Sequence, residues 1–223
     1  MIPKIIHQIW IDPSGNFGPL PAEVLDGRNT WGIGEPEYAL NLWSLPQLFR
    51  LCQIHNLPDA GRALQTCRFP SMQADIGRLL LLQIYGGFWV DLKLRLLNPF
   101  LDRFTDHDVI LTQHYPKDDL PDPGKNMSNS FIGSTPGHPI ITQAFRAVVD
   151  NVNQRMKSSI YHITGATNLM NALDQIDGDN LGRYYRLSHS ESWNRLFQVG
   201  AGSYNAPGKH WTEREGHENP YLE

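Results

Sequence analysis

A chain of 223 residues, 40% hydrophobic and 19% charged, has the composition of an ordinary globular protein rather than a disordered or fibrous one, and its length suits one hydrophobic core better than two marginal ones. A formal net charge of -4 provides no global field to draw in nucleic acid, so any phosphate must be held by local groups and no nucleic-acid partner is expected. Cys52 and Cys67 form no metal-type spacing and are too few for a disulfide framework, which points to a reducing compartment. With no signal-peptide pattern and no apolar run near the roughly 18 residues needed to cross a bilayer, the chain reads as cytoplasmic, alone or as a domain of a longer protein.

In chain order, Lys4 to Ile11 is rich in β-branched residues and stops at the turn formers Asp12, Pro13, Ser14 and Gly15, which predicts a buried first strand. A Gly/Pro-rich connection, Asp12 to Gly34, leads to a second strand over Glu37 to Ser44 and a helix over Leu45 to His55. The clearest element is a helix over Ser71 to Tyr85, with Ser71 as its cap, apolar residues at Ile76, Leu80 and Ile84, and Gly86-Gly87 as its stop. A short strand, Phe88 to Leu92, follows. Further strands are expected at Asp108 to His114 and Ser130 to Ser134, and helices at Pro139 to Arg155 and Thr164 to Leu173. Pro116 to Asn126 reads as a mobile loop, and residues 201–223 as a polar tail after a domain spanning residues 1–200. Alternating strands and helices argue for an α/β layer fold.

Chemistry concentrates between Ala74 and Lys93. Asp75 and Arg78 stand three apart on the predicted helix and share a face. Asp91 and Lys93 stand two apart on the following strand, or just past its end, and project to one side. Two acids and two bases thus surround one strand end, where open α/β sheets bind ligands. Spacing alone leaves two readings open: a ligand site, or a solvated ion pair beside an ordinary glycine C-cap. His7, a lone imidazole in an apolar strand, is read as structural, satisfying a backbone group.

Ile2 to Trp10, the Ala74-Asp75-Ile76-Gly77-Arg78 helix segment and Tyr85-Gly86-Gly87-Phe88-Trp89-Val90-Asp91 together resemble the DXD-motif sugar-binding region of glycosyltransferase family 32. That family includes initiating mannosyltransferases of the yeast type and is similar in these motifs to the large clostridial glucosylating toxins. Asn129 to Ser134 with Pro136 to Pro139, then Thr164-Gly165, then His189 with Ser192-Trp193, extend the resemblance to about residue 193. It implies a single-domain GT-A fold with a Rossmann-like mixed sheet, and transfer of a hexose from a nucleoside-diphosphate sugar to a carbohydrate or other hydroxyl acceptor, with retention. Carried over by position, Trp10 would stack on the nucleobase, and Asp75 and Arg78 would contact sugar and diphosphate. Asp91 would hold the ribose and approach a metal through water, and Asn129 would lie near the transferred sugar. His189, Ser192 and Trp193 would close over the diphosphate.

The chain departs from the family's motif at Lys93, which stands where a second carboxylate normally holds manganese or magnesium. A lysine cannot bind a hard cation as a carboxylate does. Three readings follow. Lys93 replaces the ion and acts in catalysis with Asp91 and Asn129; a weaker metal site survives on Asp91 with His189 or Glu191; or the chain is a non-catalytic nucleotide-sugar-binding module.

Overall fold

The computed structural model describes residues 1–12, 19–114, 126–200, 211–214 and 217–222. Its frame is a six-stranded sheet in the order β2-β1-β3-β6-β5-β7. The strands are β1 (Ile5–Ile9), β2 (Ala39–Trp43), β3 (Gly87–Val90), β5 (Val109–Gln113), β6 (Met127–Ser134) and β7 (Tyr184–Leu187). β1 pairs in parallel with β2 and β3, and β5 with β7, whereas β6 runs antiparallel to both β3 and β5. The sheet is therefore mixed, with β6 reversed, and the carboxyl ends of β1, β3 and β5 meet the amino end of β6 along one edge. β4 (Leu94–Leu96) and β8 (Phe197–Val199) form a separate antiparallel ribbon.

Side chains alternate across the strands and build an apolar cluster on each face. Ile9, Trp89, Leu111 and Ile132 face one cluster, which is covered by α2 (Leu45–Ile54), α3 (Pro58–Thr66), α4 (Pro70–Tyr85), α5 (Pro139–Asn153) and α7 (Thr167–Gln175). Ile6, Phe88, Val90, Ile110 and Phe131 face the other, where Trp31 of α1 (Ala22–Gly34) and Phe100 and Phe197 make it aromatic. The short helices α6 (Ile160–Ile163), α8 (His189–Ser192) and α9 (Trp211–Arg214) complete the chain. No helix among the described residues is long and apolar enough to cross a membrane.

Several sequence expectations need correction. The stretch read as a connection between Asp12 and Gly34 holds α1, and α3 lies where no element was expected. α4 is capped by Phe69 with Pro70 at its first position, and the Ser71 hydroxyl is buried without a hydrogen-bond partner among the described residues. The helix expected at Thr164 to Leu173 starts at Thr167, because Thr164 and Gly165 belong to the turn after α6, where a Cβ at Gly165 would lie 2.7 Å from the Tyr161 carbonyl oxygen. Gly86 does stop α4, at φ 64°. Residues 217–222 return to the body, where Tyr221 is buried against Cys67. Residues 116–125 of the expected loop and residues 201–210, 215–216 and 223 of the expected tail lie outside the described residues.

Candidate active site

Helix α4 and the end of β3 set the site. Asp75 and Arg78 are buried, and their side chains meet at 2.7 Å from Asp75 Oδ1 to an Arg78 terminal nitrogen. The solvated-pair reading is therefore excluded. The second terminal nitrogen of Arg78 donates to the Asn129 carbonyl on β6, and the guanidinium lies over the Trp89 ring at 4.9 Å. Asn129 Nδ2 donates to Asp75 Oδ1 at 3.1 Å, and Thr164 Oγ1 donates to Asp75 Oδ2 at 2.8 Å. Burial pushes the Asp75 carboxyl up to about 6, against the opposing pull of Arg78 and the Thr164 hydroxyl. Arg78 keeps one donor unused: its Nε is buried without a partner among the described residues.

Asp91 follows β3 directly, and its backbone N–H is held by the Ser130 carbonyl at 2.9 Å. Its Oδ1 accepts from Trp89 Nε1 at 3.1 Å and faces Arg78 at 3.6 Å, while its Oδ2 faces Lys93 Nζ at 3.5 Å. Asp75, Arg78, Asp91, Lys93 and Asn129 are thus brought together as one network. Trp10 follows β1, half-buried, with its backbone N–H on the Trp43 carbonyl, and it belongs to neither apolar cluster of described residues.

The carboxy-terminal residues stand differently. Ser192 is fully buried and its hydroxyl donates to the Ser188 carbonyl at 2.8 Å. Trp193 Nε1 donates to the Gln113 carbonyl at 2.9 Å. Neither presents its donor to the cleft in this arrangement. His189 lies beside the Trp193 ring, with centroids 6.1 Å apart. Glu191 is occupied by a capping box with Ser188 and by the Tyr185 hydroxyl.

These positions do not suit a divalent ion on Asp91 and His189. An ion at Asp91 would share that carboxylate with an ammonium, a guanidinium and an indole N–H, two of them positively charged. Among the described residues, no three His, Cys, Asp or Glu side chains gather as a metal site. His7 is structural as expected: Nε2 donates to the Gly86 carbonyl at 2.9 Å and Nδ1 accepts from Trp43 Nε1 at 3.1 Å.

Sequence reasoning placed Trp89 and Thr164 within motifs but gave neither a contact at the site, where Trp89 meets Asp91 and Arg78 and Thr164 meets Asp75. Trp89 could have been found, because it stands two residues before Asp91 on one strand face. Thr164 stood in the Thr164-Gly165 motif, but its bond to Asp75, 89 residues away, has no local signal.

With this geometry in hand, comparisons place the chain among known proteins. A family model described as capsular polysaccharide synthesis protein matches residues 70–180. The UDP-bound glycosyltransferase domain from the YGT toxin superposes with a TM-score of 0.55, at 9% identity, over 89% of this chain and 83% of that one. The fold is that of GT-A glycosyltransferase domains. In sequence, an uncharacterised glycosyltransferase of Acanthamoeba polyphaga mimivirus is 22% identical over 81% of this chain and 68% of its own length. Inositol phosphoceramide mannosyltransferase 3 of Schizosaccharomyces pombe is 26% identical over 65% of this chain, which spans only 36% of that protein. The matched stretch of the family model contains Asp75, Arg78, Asp91, Lys93 and Asn129, the network described above.

Proposed function

We propose that this chain is a hexosyltransferase that takes a nucleoside-diphosphate sugar as donor and a hydroxyl of a glycan or other carrier as acceptor, with retention. The observation that carries this reading is the network of buried Asp75 and Arg78 with half-buried Asn129 and Asp91 at the carboxyl edge of a GT-A sheet. Burying an acid and a guanidinium beside a strand end is costly unless they are mutually satisfied, and such pairs cluster at functional sites. The YGT domain's bound UDP supports a nucleoside-diphosphate donor, and the mannosyltransferase of Schizosaccharomyces pombe supports a hexose.

In this reading Trp10 stacks on the base, and the Asp75–Arg78 pair with Asn129 forms the wall for the hexose. The anomeric carbon–oxygen bond to the diphosphate breaks with its electron pair on the phosphate oxygen. Lys93 meets that charge as a fixed cation. The acceptor hydroxyl bonds to the anomeric carbon on the same face, and its proton leaves with the departing phosphate.

The test is release of nucleoside diphosphate from a panel of nucleotide hexoses in excess chelator. Release should continue in the parent and fall by about 10²–10³-fold in Lys93→Ala, the usual loss for one charge-stabilising donor. Lys93→Asp should become dependent on added manganese or magnesium. A parent silenced by chelator, beside a Lys93→Ala variant that keeps its rate, would overturn the role given to Lys93. Saturable donor binding without release from any donor would instead make the chain a non-catalytic binding module.

A further inference from the structure

We propose that the crevice between α5 and α7 is a second binding site, separate from the Asp75–Arg78 cleft, that takes one uncharged pyranose ring. The two helices lie antiparallel: Gln143 Nε2 donates to Gln175 Oε1 at one end, and Asn151 Nδ2 donates to Asn168 Oδ1 at 3.1 Å at the other. On each helix the lining residues recur every four positions and so share a face, Gln143, Ala147 and Asn151 on α5 and Thr167, Asn171 and Gln175 on α7. Ala147 and Ala172 stand between the two bonded ends, and their small side chains leave a cavity of about 230 Å³. That is below the roughly 300–1,000 Å³ of sites for drug-sized ligands, so it suits a single ring.

The lining is rich in side-chain amides and, among the described residues, holds no Asp, Glu, Lys or Arg. Those amides are only partly spent on one another. Gln143 and Asn151 use their nitrogens within the crevice and keep Oε1 and Oδ1 as acceptors. Gln175 keeps Nε2 as a donor, and Asn171 keeps both ends of its amide among the described residues. Turning any amide over exchanges a donor for an acceptor and leaves the set mixed. Thr167 Oγ1 is covered and has no partner among the described residues, which a hydroxyl seated beside it would supply. Donors and acceptors side by side, without charge, match groups that act as both, and sugar hydroxyls do. A phosphate or carboxylate would meet acceptors and no Lys or Arg, and an ammonium would meet no carboxylate. Ala147, Ala172 and Met156 give apolar wall for the C–H face of the ring.

The crevice shares no lining residue with the network of Asp75, Arg78, Asp91, Lys93 and Asn129. Asn168 stands between the two, with its Nδ2 donating to the Gly165 carbonyl at 3.2 Å, next to the Thr164 hydroxyl that holds Asp75. The site therefore stands whether or not the cleft turns over a donor. Asn171 and Gln175 are exposed at its rim, so a ring can enter from solvent.

The experiment titrates the methyl pyranosides of mannose, glucose and galactose into the ¹⁵N-labelled full chain with UDP in excess. At least one should saturate with a Kd on the order of 1–10 mM, as fits a ligand of about a dozen heavy atoms. It should move the side-chain amide resonances of Asn171 and Gln175, assigned with Asn171→Ala and Gln175→Ala, a readout in the parent that does not depend on how a variant folds. Asn171→Ala, which removes a rim amide, and Ala147→Leu, which fills the gap, should each weaken binding about tenfold or more, on the order of one lost hydrogen bond for the first. Glucuronate should bind no tighter than methyl glucoside. No saturation by about 100 mM, shifts confined to residues around Asp75 and Asp91, tighter binding of glucuronate, or full affinity in folded Asn171→Ala and Ala147→Leu would each overturn the site. Diphosphate release by a chain that binds no pyranoside at the crevice would overturn it and leave the transferase reading standing. Crevice binding in a chain that releases no diphosphate would support it and count against the transferase.

Discussion

Asp75 and His7 are both buried, and burial moves their protonation in opposite directions. His7 is held neutral, its pKa lowered to about 4, first by burial and against the Gly86 carbonyl that accepts from its Nε2. Protonating Nδ1 would set a new N–H against the Trp43 N–H that now donates to it. A depressed folded pKa gives stability that is present above the ordinary value near 6.5 and lost as pH falls through about 4. Asp75, raised to about 6, does the opposite: its contribution is full below the ordinary 3.8 and lost as pH rises through about 6. Between pH 4 and 6 the two slopes oppose each other. Asp75→Asn should therefore lose stability relative to the parent on going from pH 7 to pH 4, by on the order of 3 kcal/mol. His7→Gln should gain relative to the parent over the same interval. Denaturant unfolding at pH 4, 5, 6 and 7 decides it, and variant curves running parallel to the parent would refute both assignments.

At the scale of the element, the junction of α4 and β3 aligns Asp75 and Arg78 with Asp91. Gly86 makes that junction at φ 64°, and a Cβ there would lie 2.6 Å from Pro136 Cδ and 2.7 Å from the Ser134 carbonyl oxygen. Both the dihedral and the backbone contact forbid a side chain without movement. Gly86→Ala should cost about 2 kcal/mol or more in unfolding free energy. Gly61→Ala in α3, whose Cβ would meet only Cys52 Cβ at 3.7 Å, should instead gain up to ~1 kcal/mol from helix propensity. Equal effects of the two substitutions would show that the junction tolerates a side chain. The same contrast explains what was legible. α4 carries its helical period and glycine stop in its own residues, and the motif from Tyr85 to Asp91 marked the site beside it. α1 contains Gly27, Gly32 and Gly34 and reads locally as a connection. Its helix is fixed from outside, by buried Trp31 donating to the Leu94 carbonyl at 2.8 Å and by Gly27 packed near the Leu92 carbonyl. Thr164 reaches Asp75 from 89 residues away, and only the folded chain reveals such a partner.

At the scale of the whole molecule, the sheet divides two cores, and the helical core that supports α4 is closed by the end of the chain. Tyr221 pairs with Cys67, donates its hydroxyl to the Met156 carbonyl at 2.7 Å, and lies under the Arg155 guanidinium at 5.8 Å. The Arg68 N–H donates to the Pro220 carbonyl and the Leu222 N–H to the Thr66 carbonyl, so the segment bridges the start of α4, the end of α3 and the end of α5. Its polar composition concealed this, because one buried aromatic residue and backbone hydrogen bonds carry the docking. Tyr221→Ala should lower unfolding free energy by about 3 kcal/mol, the usual cost of emptying a buried aromatic position, and Tyr221→Phe by about 1 kcal/mol for the lost hydrogen bond. Donor affinity measured well below the unfolding midpoint should stay near that of the parent in both variants. Asp75 and Arg78 are held by Asn129, Thr164 and Trp89 rather than by the chain end, so docking the terminus supports the fold without shaping the cleft. Unfolding midpoints equal to the parent's would show that the docked end adds nothing. A Tyr221→Ala variant that is stable yet has lost donor binding would show that the helical core transmits to the site.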